Sequence, residues 1–124
     1  MSSSNKREKG AVGEQLAVRF LTDNNYNILK TNFRVGRIGE IDIIAKDAEY
    51  ICFIEVKSRG TIRFGNPAEA VTLQKQKKIK LLAEIYLSNT GNSEKCVRFD
   101  VVEIIMKKSN NNDIHDINLI KNAF

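Results

Sequence analysis

Glu55-Val56-Lys57 closes an otherwise apolar run, Ile51-Cys52-Phe53-Ile54, and a second acid, Asp42, interrupts another, Ile41-Asp42-Ile43-Ile44. An ionised side chain taken out of water is costly unless something compensates its charge, and a bound cation is one such compensation. Side chains alternate along a strand, so Ile51, Phe53, Glu55 and Lys57 fall on one face, and Cys52, Ile54 and Val56 on the other. Pairing Lys46 with Glu49 sets Asp42 opposite Phe53, and pairing it with Ile51 sets Asp42 opposite Glu55. Either register brings Asp42 to the face of Glu55 and Lys57, whereas a slip of one residue sends it to the other face. Two converging carboxylates and the backbone carbonyl of Val56 form a hard oxygen site of the kind that takes Mg²⁺ or Mn²⁺ with waters left on the ion. Phosphodiester hydrolysis uses that arrangement. The ion lowers the pKa of a water and neutralises phosphate charge, while an ammonium such as Lys57 orients the nucleophile and stabilises the charge that develops.

These residues need strands to carry them, and the chain supplies the pattern. A polar start, with residues 1–8 expected to fray, leads through a cap at Ser4 or Asn5 into a helix running to about Asn24. Gly13, Leu16, Ala17, Phe20 and Leu21 recur on its buried face. Glu14 lies one turn before Ala17 along that face, which makes it the natural third acid; a partner for a nearby arginine, or a partly exposed helix charge, is the competing reading. An edge strand over Tyr26 to Phe33, a basic Gly-bearing turn over Arg34 to Gly39, and strands over Glu40 to Lys46 and Tyr50 to Ser58 follow. A loop from Gly60 to Asn66 then leads to Pro67, expected as the first residue of a helix ending near Leu87, with Val71, Ile79, Leu82, Ala83 and Tyr86 on one stripe. Val97 to Met106 reads as a buried strand and Ile114 to Ile120 as a final one. The order α-β-β-β-α-β-β predicts a mixed α/β sheet flanked by helices in a single domain over residues 1–124.

Composition sets the outer limits. The 124 residues suit one globular unit, and 42% of them are hydrophobic, enough for one core. A formal net charge of +5 and a pI of about 9.3 favour a polyanionic partner without deciding which. No segment approaches the ~20 apolar residues of a membrane span, and no leader pattern follows Met1, so a soluble cytoplasmic protein with no membrane partner is expected. Cys52 and Cys96 lack any metal-ligand spacing, and both are expected as reduced core thiols.

Two blocks, Gly39-Glu40-Ile41-Asp42-Ile43-Ile44-Ala45 and Phe53-Ile54-Glu55-Val56-Lys57-Ser58-Arg59, resemble the core of PD-(D/E)xK nucleases. With Gly13-Glu14 ahead of them, and Phe64-Gly65-Asn66-Pro67-Ala68-Glu69-Ala70-Val71 and Arg98-Phe99-Asp100-Val101-Val102 behind, nearly the whole chain resembles the YraN-like family of bacterial endonuclease-like proteins. That family is similar to archaeal Holliday junction resolvases. The resemblance implies a restriction-endonuclease-like fold, catalytic acids at Asp42 and Glu55, a catalytic lysine at Lys57 and a helical acid at Glu14. All four are present. Ile41 stands where the superfamily's name has a proline, a position that contributes no ligand.

Arg34 and Arg37 precede the acidic strand, and Arg59 and Arg63 follow Lys57, so the turns beside the proposed metal site are cationic and suited to clamping phosphates, although any single loop arginine can be merely solvated. Lys75 and Gln76 precede Ile79 by four and three positions on the sheet-facing stripe and are candidates to approach the site, whereas Lys77 and Lys80 point elsewhere. His115, the only histidine, lies far in sequence from the acids and is expected at the surface. Phe33, Phe53, Phe64 and Phe99 read as core packing, not as platforms for bases. The leading expectation is a Mg²⁺- or Mn²⁺-dependent endonuclease acting on branched or structured DNA, with a two-fold homodimer expected by analogy with resolvases. Against it stand a non-cleaving DNA-binding module of the same fold, acting in repair, recombination or DNA uptake, and an interaction protein whose acids form structural ion pairs.

Overall fold

In the computed structural model the backbone is described for residues 2–59, 71–92, 95–109 and 112–124, and side chains for 12–58, 71–92, 95–105 and 116–124. Seven elements follow one another: α1 (Ser2–Asp23), β1 (Asn27–Val35), β2 (Gly39–Asp47), β3 (Tyr50–Arg59), α2 (Leu73–Asn89), β4 (Cys96–Ser109) and β5 (Asn112–Ile120). This is the anticipated order. The strands form one mixed sheet in chain order, β1-β2-β3-β4-β5, in which only β3 and β4 run parallel. A parallel pair needs a long crossover, and α2 lies in it.

Each face of the sheet carries one helix. Ile79, Leu82, Ala83 and Leu87 of α2 are buried with Ile41, Ile44, Ile51, Phe53 and Val101. Ala17 and Leu21 of α1 are buried on the other side with Ile43, Ala45, Cys52, Ile54, Val102 and Ile104. The central strands are thus apolar on both faces, the signature of a sheet covered twice. Phe33, Phe53 and Phe99 pack as expected: Tyr86 meets the edges of Phe33 and Phe53, and Phe99 stacks between Phe53 and Phe124.

Both helices end alike. Asn25, at φ 69°, follows α1 in the left-handed region, with Tyr26 N–H bonded to the Leu21 carbonyl and Asn25 N–H to that of Thr22. Gly91, at φ 72°, does the same after α2, with Asn92 N–H on Leu87 and Gly91 N–H on Ser88. These paired bonds satisfy carbonyls that a helix end leaves open. The start of α2 differs from expectation: Thr72 is its N-cap, accepting from Lys75 N–H at 3.2 Å, so the helix begins at Leu73 and not at Pro67. A threonine hydroxyl can satisfy a backbone donor inside the first turn, which proline's fixed φ cannot do. Pro67, Arg63, Phe64 and the Gly60 to Asn66 loop lie outside the described residues, as do the side chains of Arg59 and His115. Helix α1 begins at Ser2, ahead of the anticipated caps. Cys52 is buried, its thiol pushed up to about 12 by burial, but Cys96 is exposed at the start of β4 and is no core thiol.

One polar knot holds the sheet together near the start of β3. The guanidinium of Arg98 donates to Asp100 at 2.9, 3.0 and 3.1 Å, to Asp47 at 2.8 Å and to the Tyr26 hydroxyl at 2.8 Å. Asp100, fully buried, also accepts from Asn122 N–H at 2.9 Å. Arg98 and Asp100 together therefore tie the entry to β1, the β2–β3 hairpin, β4 and the segment after β5. Removing one member of a buried, hydrogen-bonded ion pair leaves the other charge uncompensated, at a cost of about 3–5 kcal/mol. Arg98→Ala is expected to lower the unfolding free energy by that amount in urea titrations, and a loss under about 1 kcal/mol, the range of an exposed pair, would show the knot to be dispensable.

Candidate functional site

The site forms where β2 and β3 part. Their ladder runs from Asp47↔Tyr50 through Lys46↔Ile51 to Ile43↔Ile54 and stops there. Carried one step on, the same register sets Asp42 across from Glu55, the second of the two pairings open from the sequence. At that step the backbone bond is replaced: Val56 N–H donates to the Asp42 carboxylate Oδ2 at 2.8 Å. Meanwhile β1 stays with β2 as far as Val35↔Gly39, and β4 stays with β3 as far as Arg59↔Ile105, so the sheet opens into a cleft between its second and third strands.

A local irregularity aims the acid. Ile43 packs under α1 and Ile41 under α2, so the alternation expected of a strand breaks at Asp42. On β1 the pairs Thr31↔Ile43 and Phe33↔Ile41 bracket Asn32, which adopts φ 53°. Asparagine tolerates that left-handed backbone better than most residues. Its side chain then donates to Glu14 Oε2 of α1 at 3.0 Å. Close approach of α1 to β3 is secured one residue earlier, at Gly13, where a Cβ would collide with the Ser58 hydroxyl.

Glu55 projects to the α2 side and is only 5% exposed. Two lysines address it: Lys75 of α2, whose Nζ lies 2.5 Å from Oε1, and Lys57 of its own strand, at 3.8 Å. The tight partner is therefore Lys75 and not Lys57. The Gln76 amide donates to the Val71 carbonyl at 2.9 Å. Arg34 pairs with Glu40 at 3.2 Å on the surface. Arg37 lines a cavity of about 400 Å³ between the β1–β2 turn and α2, together with Glu40, Thr72, Lys75 and Lys78.

The electrostatics follow from this crowding. Burial, then the charge of Glu55 and to a lesser degree Glu14, raises the Asp42 pKa from its ordinary 3.8 to about 7, against the opposing Val56 hydrogen bond and Lys75. Glu14 is raised too, by burial and by Glu40 and Glu55. Lys57 is lowered by burial and by the neighbouring Lys75. At Lys75 burial pulls down, but the bond and charge of Glu55 outweigh it and the pKa rises. Burial first, and then the neighbouring acids, disfavour the charged forms of Asp42 and Glu14, a cost that a bound divalent cation relieves. Asp42, Glu55 and the Val56 carbonyl form a donor set of the right hardness, two carboxylates and a carbonyl. Among the described residues no three histidine, cysteine or acidic side chains already stand close enough together to hold a metal ion. In the structure as it stands, Lys75 occupies the near side of Glu55.

The sequence reading brought Asp42, Glu55, Lys57 and Glu14 to one end of the molecule, but it missed three neighbours. Asn32 left a signal, a turn-forming residue inside a strand pattern. Glu103, buried on β4 in register with Lys57, left a similar one as an acid within an apolar run. Lys78 left none beyond its charge.

The sequence profile of the uncharacterised protein family UPF0102 matches residues 13–104, from Gly13 into β4. The chain belongs to the UPF0102 family. A UPF0102 protein of Acetivibrio thermocellus is 52% identical over 124 residues, covering 99% of this chain and 95% of the relative. One from Caldicellulosiruptor saccharolyticus is 48% identical over 97% of this chain and 99% of its own length, and one from Clostridium kluyveri 47% identical over 100% and 98%. Every residue of the acidic cleft lies inside the UPF0102 match, and β5 lies outside it. Among the described residues no helix is long and apolar enough to cross a membrane.

A carboxyl whose folded pKa lies above its unfolded value favours the folded state while protonated. That contribution is complete below about pH 4 and is lost as pH rises through about 7. Asp42→Asn abolishes the titration and can still accept from Val56 N–H. In EDTA the variant should gain on the parent by about 2 kcal/mol between pH 4.5 and pH 8.5, a discounted share of the shift because the group is partly exposed. Parallel pH profiles in chemical denaturation would show that burial and the neighbouring acids do not raise the Asp42 pKa.

Proposed function

We propose that the protein is a metal-dependent endonuclease that hydrolyses phosphodiester bonds in branched or otherwise structured DNA. The observation that carries this reading is the β2–β3 register, which, carried one step past Ile43↔Ile54, sets Asp42 across from Glu55, with Lys57 and Lys75 on the Glu55 carboxylate and a cavity lined by Arg37, Glu40, Lys75 and Lys78 beside it. A purely structural role would leave such acids compensated, as Asp47 is by Arg98, which lowers its pKa. Asp42 is instead pushed to about 7, and clusters with displaced pKa values concentrate at functional sites.

Asp42, Glu55 and the Val56 carbonyl would hold Mg²⁺ or Mn²⁺. When bound, the ion supplies a water of lowered pKa and neutralises charge on the phosphate. Lys57 has the task of orienting that water and of balancing the charge that builds on the phosphoryl oxygens as the new P–O bond forms and the strand's bridging P–O bond breaks. Glu14, held by Asn32, fixes the far wall of the cleft and adds to its negative field. Arg34, Arg37 and Lys78 carry backbone phosphates without reading bases.

One observation favours a second reading, a DNA-binding module of the same fold that does not cut: the near side of Glu55 is taken by the Lys75 ammonium. Cleavage of labelled linear, nicked, flapped and four-way DNAs with Mg²⁺, Mn²⁺ or EDTA separates the two. The nuclease reading expects metal-dependent cutting of a branched substrate. It further expects Glu55→Gln to abolish cutting with DNA binding retained, and Lys57→Ala to slow it about 10²–10³-fold, the usual loss of one transition-state donor. Tight DNA binding without cutting of any substrate would establish the second reading, and undiminished cutting by both variants would refute the assignment of these residues.

The phosphate-carrying role has its own test. Arg34→Ala, Arg37→Ala and Lys78→Ala should each weaken DNA binding alike for all sequences and reduce the slope of log affinity against log salt by about 1. An unchanged slope in the triple variant would move the DNA surface elsewhere.

A further inference from the structure

Lys75 faces two places at once. Its ammonium is bound to Glu55 Oε1 at 2.5 Å, and its side chain also lines the cavity of about 400 Å³ that Arg37, Thr72, Gln74 and Lys78 share. The side chain is 40% exposed, against 4% for Glu55, so the lysine can leave the pair for water or for the cavity and the glutamate cannot. Lys57, on the same carboxylate at 3.8 Å, is held on β3 between its sheet neighbours. Of the two cations at Glu55, the tighter one is thus also the movable one.

We propose that Lys75 is an exchangeable internal cation: it occupies Glu55 while no divalent ion is present, and it is displaced into the cavity lined by Arg37, Lys78 and Glu40, towards a substrate phosphate, when one binds. This rests on the metal-dependent reading above and adds an order of events to it. A buried carboxylate without a compensating charge is costly, and Lys75 compensates the buried Glu55 while the site is empty. Once a dication takes over that carboxylate, the released ammonium joins Arg37 and Lys78, so binding of the ion and capture of an anion reinforce one another. Two ligands that each stabilise the same rearrangement are coupled, and the coupling is reciprocal. Lys75 is on this account a positioning residue for the substrate and a competitor of the metal, not a static phosphate clamp.

The experiment compares the full-length parent with Lys75→Met and Lys75→Arg, using Mn²⁺ alone, and then Mn²⁺ with a short uncleavable phosphorothioate DNA. Binding of Mn²⁺ followed by calorimetry or electron paramagnetic resonance should be about three- to tenfold tighter in Lys75→Met, because a partly exposed ion pair no longer has to be broken. Metal-free Lys75→Met should melt at lower temperature than the parent, and saturating Mn²⁺ should close that gap. In the parent, Mn²⁺ should strengthen DNA binding by more than it does in Lys75→Met, with Lys75→Arg between them. Equal or weaker Mn²⁺ binding by Lys75→Met overturns the exchange while leaving the nuclease reading intact. Absence of Mn²⁺ binding in both proteins, with Glu55→Gln indistinguishable from them, overturns the metal-dependent reading as well.

Discussion

Past Ile43 and Ile54 the β2–β3 ladder gives way to a bond between a backbone donor and a side chain, Val56 N–H on the Asp42 carboxylate at 2.8 Å, and much of the site depends on that substitution. Two strands joined by backbone bonds stay about 4.8 Å apart and leave no room between them. A carboxylate in place of a carbonyl satisfies the same donor from farther away, so the strands separate without stranding a buried N–H group. The separation admits Glu14 from the α1 side and Lys75 from the α2 side to one neighbourhood, which a continuous sheet would keep apart. The bond also favours the Asp42 carboxylate, partly offsetting the burial and the neighbouring acids that raise its pKa.

The molecule contains two clusters of charge, one towards each end of β3, with opposite balances. Around Arg98 every acid has a fixed donor: Asp100 has the guanidinium and a backbone N–H, and Asp47, its pKa lowered, has Arg98 with Lys121 at 3.5 Å. Around Glu55, burial and then mutual repulsion raise the pKa values of Asp42 and Glu14, and the lysine bound to Glu55 is 40% exposed. A fold of this size is only marginally stable, and the cluster around Arg98 helps it to carry the cost of acids crowded around Glu55. The acids of both clusters, with Arg98, Lys57 and Lys75, lie within the part of the chain that matches UPF0102, while Lys121 and Asn122 lie beyond it.

The order of elements and the facing of Asp42 and Glu55 were legible because both rest on period-two alternation between apolar runs, a local property of the sequence. Lys75 was placed on the correct face of α2 by its spacing from Ile79, but its partner was not. Nothing in a sequence says whether a sheet-facing lysine will meet a phosphate or a glutamate twenty positions away. The start of α2 was misread because Pro67 is a strong local signal and Thr72 a weaker one, and the hydroxyl's advantage appears only when the first-turn donors are counted. Cys96 looked like a core residue because an apolar run follows it, yet the strand it opens has not reached the core at that point. The kink at Asn32 and Asp42 was the least legible feature: it belongs to two strands at once, and alternation within either one argues against it.

That kink has a bearing beyond the cleft. Strand β1 is an edge of the sheet and is largely exposed along its length. An exposed edge offers unpaired N–H and C=O groups to any extended chain, and neat edges are where β proteins aggregate. Asn32, at φ 53°, breaks the run of these groups midway, and Lys30 places a charge just ahead of it. An incoming strand finds no long straight stretch to zip against. The backbone distortion that serves the acids inside the sheet thereby also shields its outer edge from self-association.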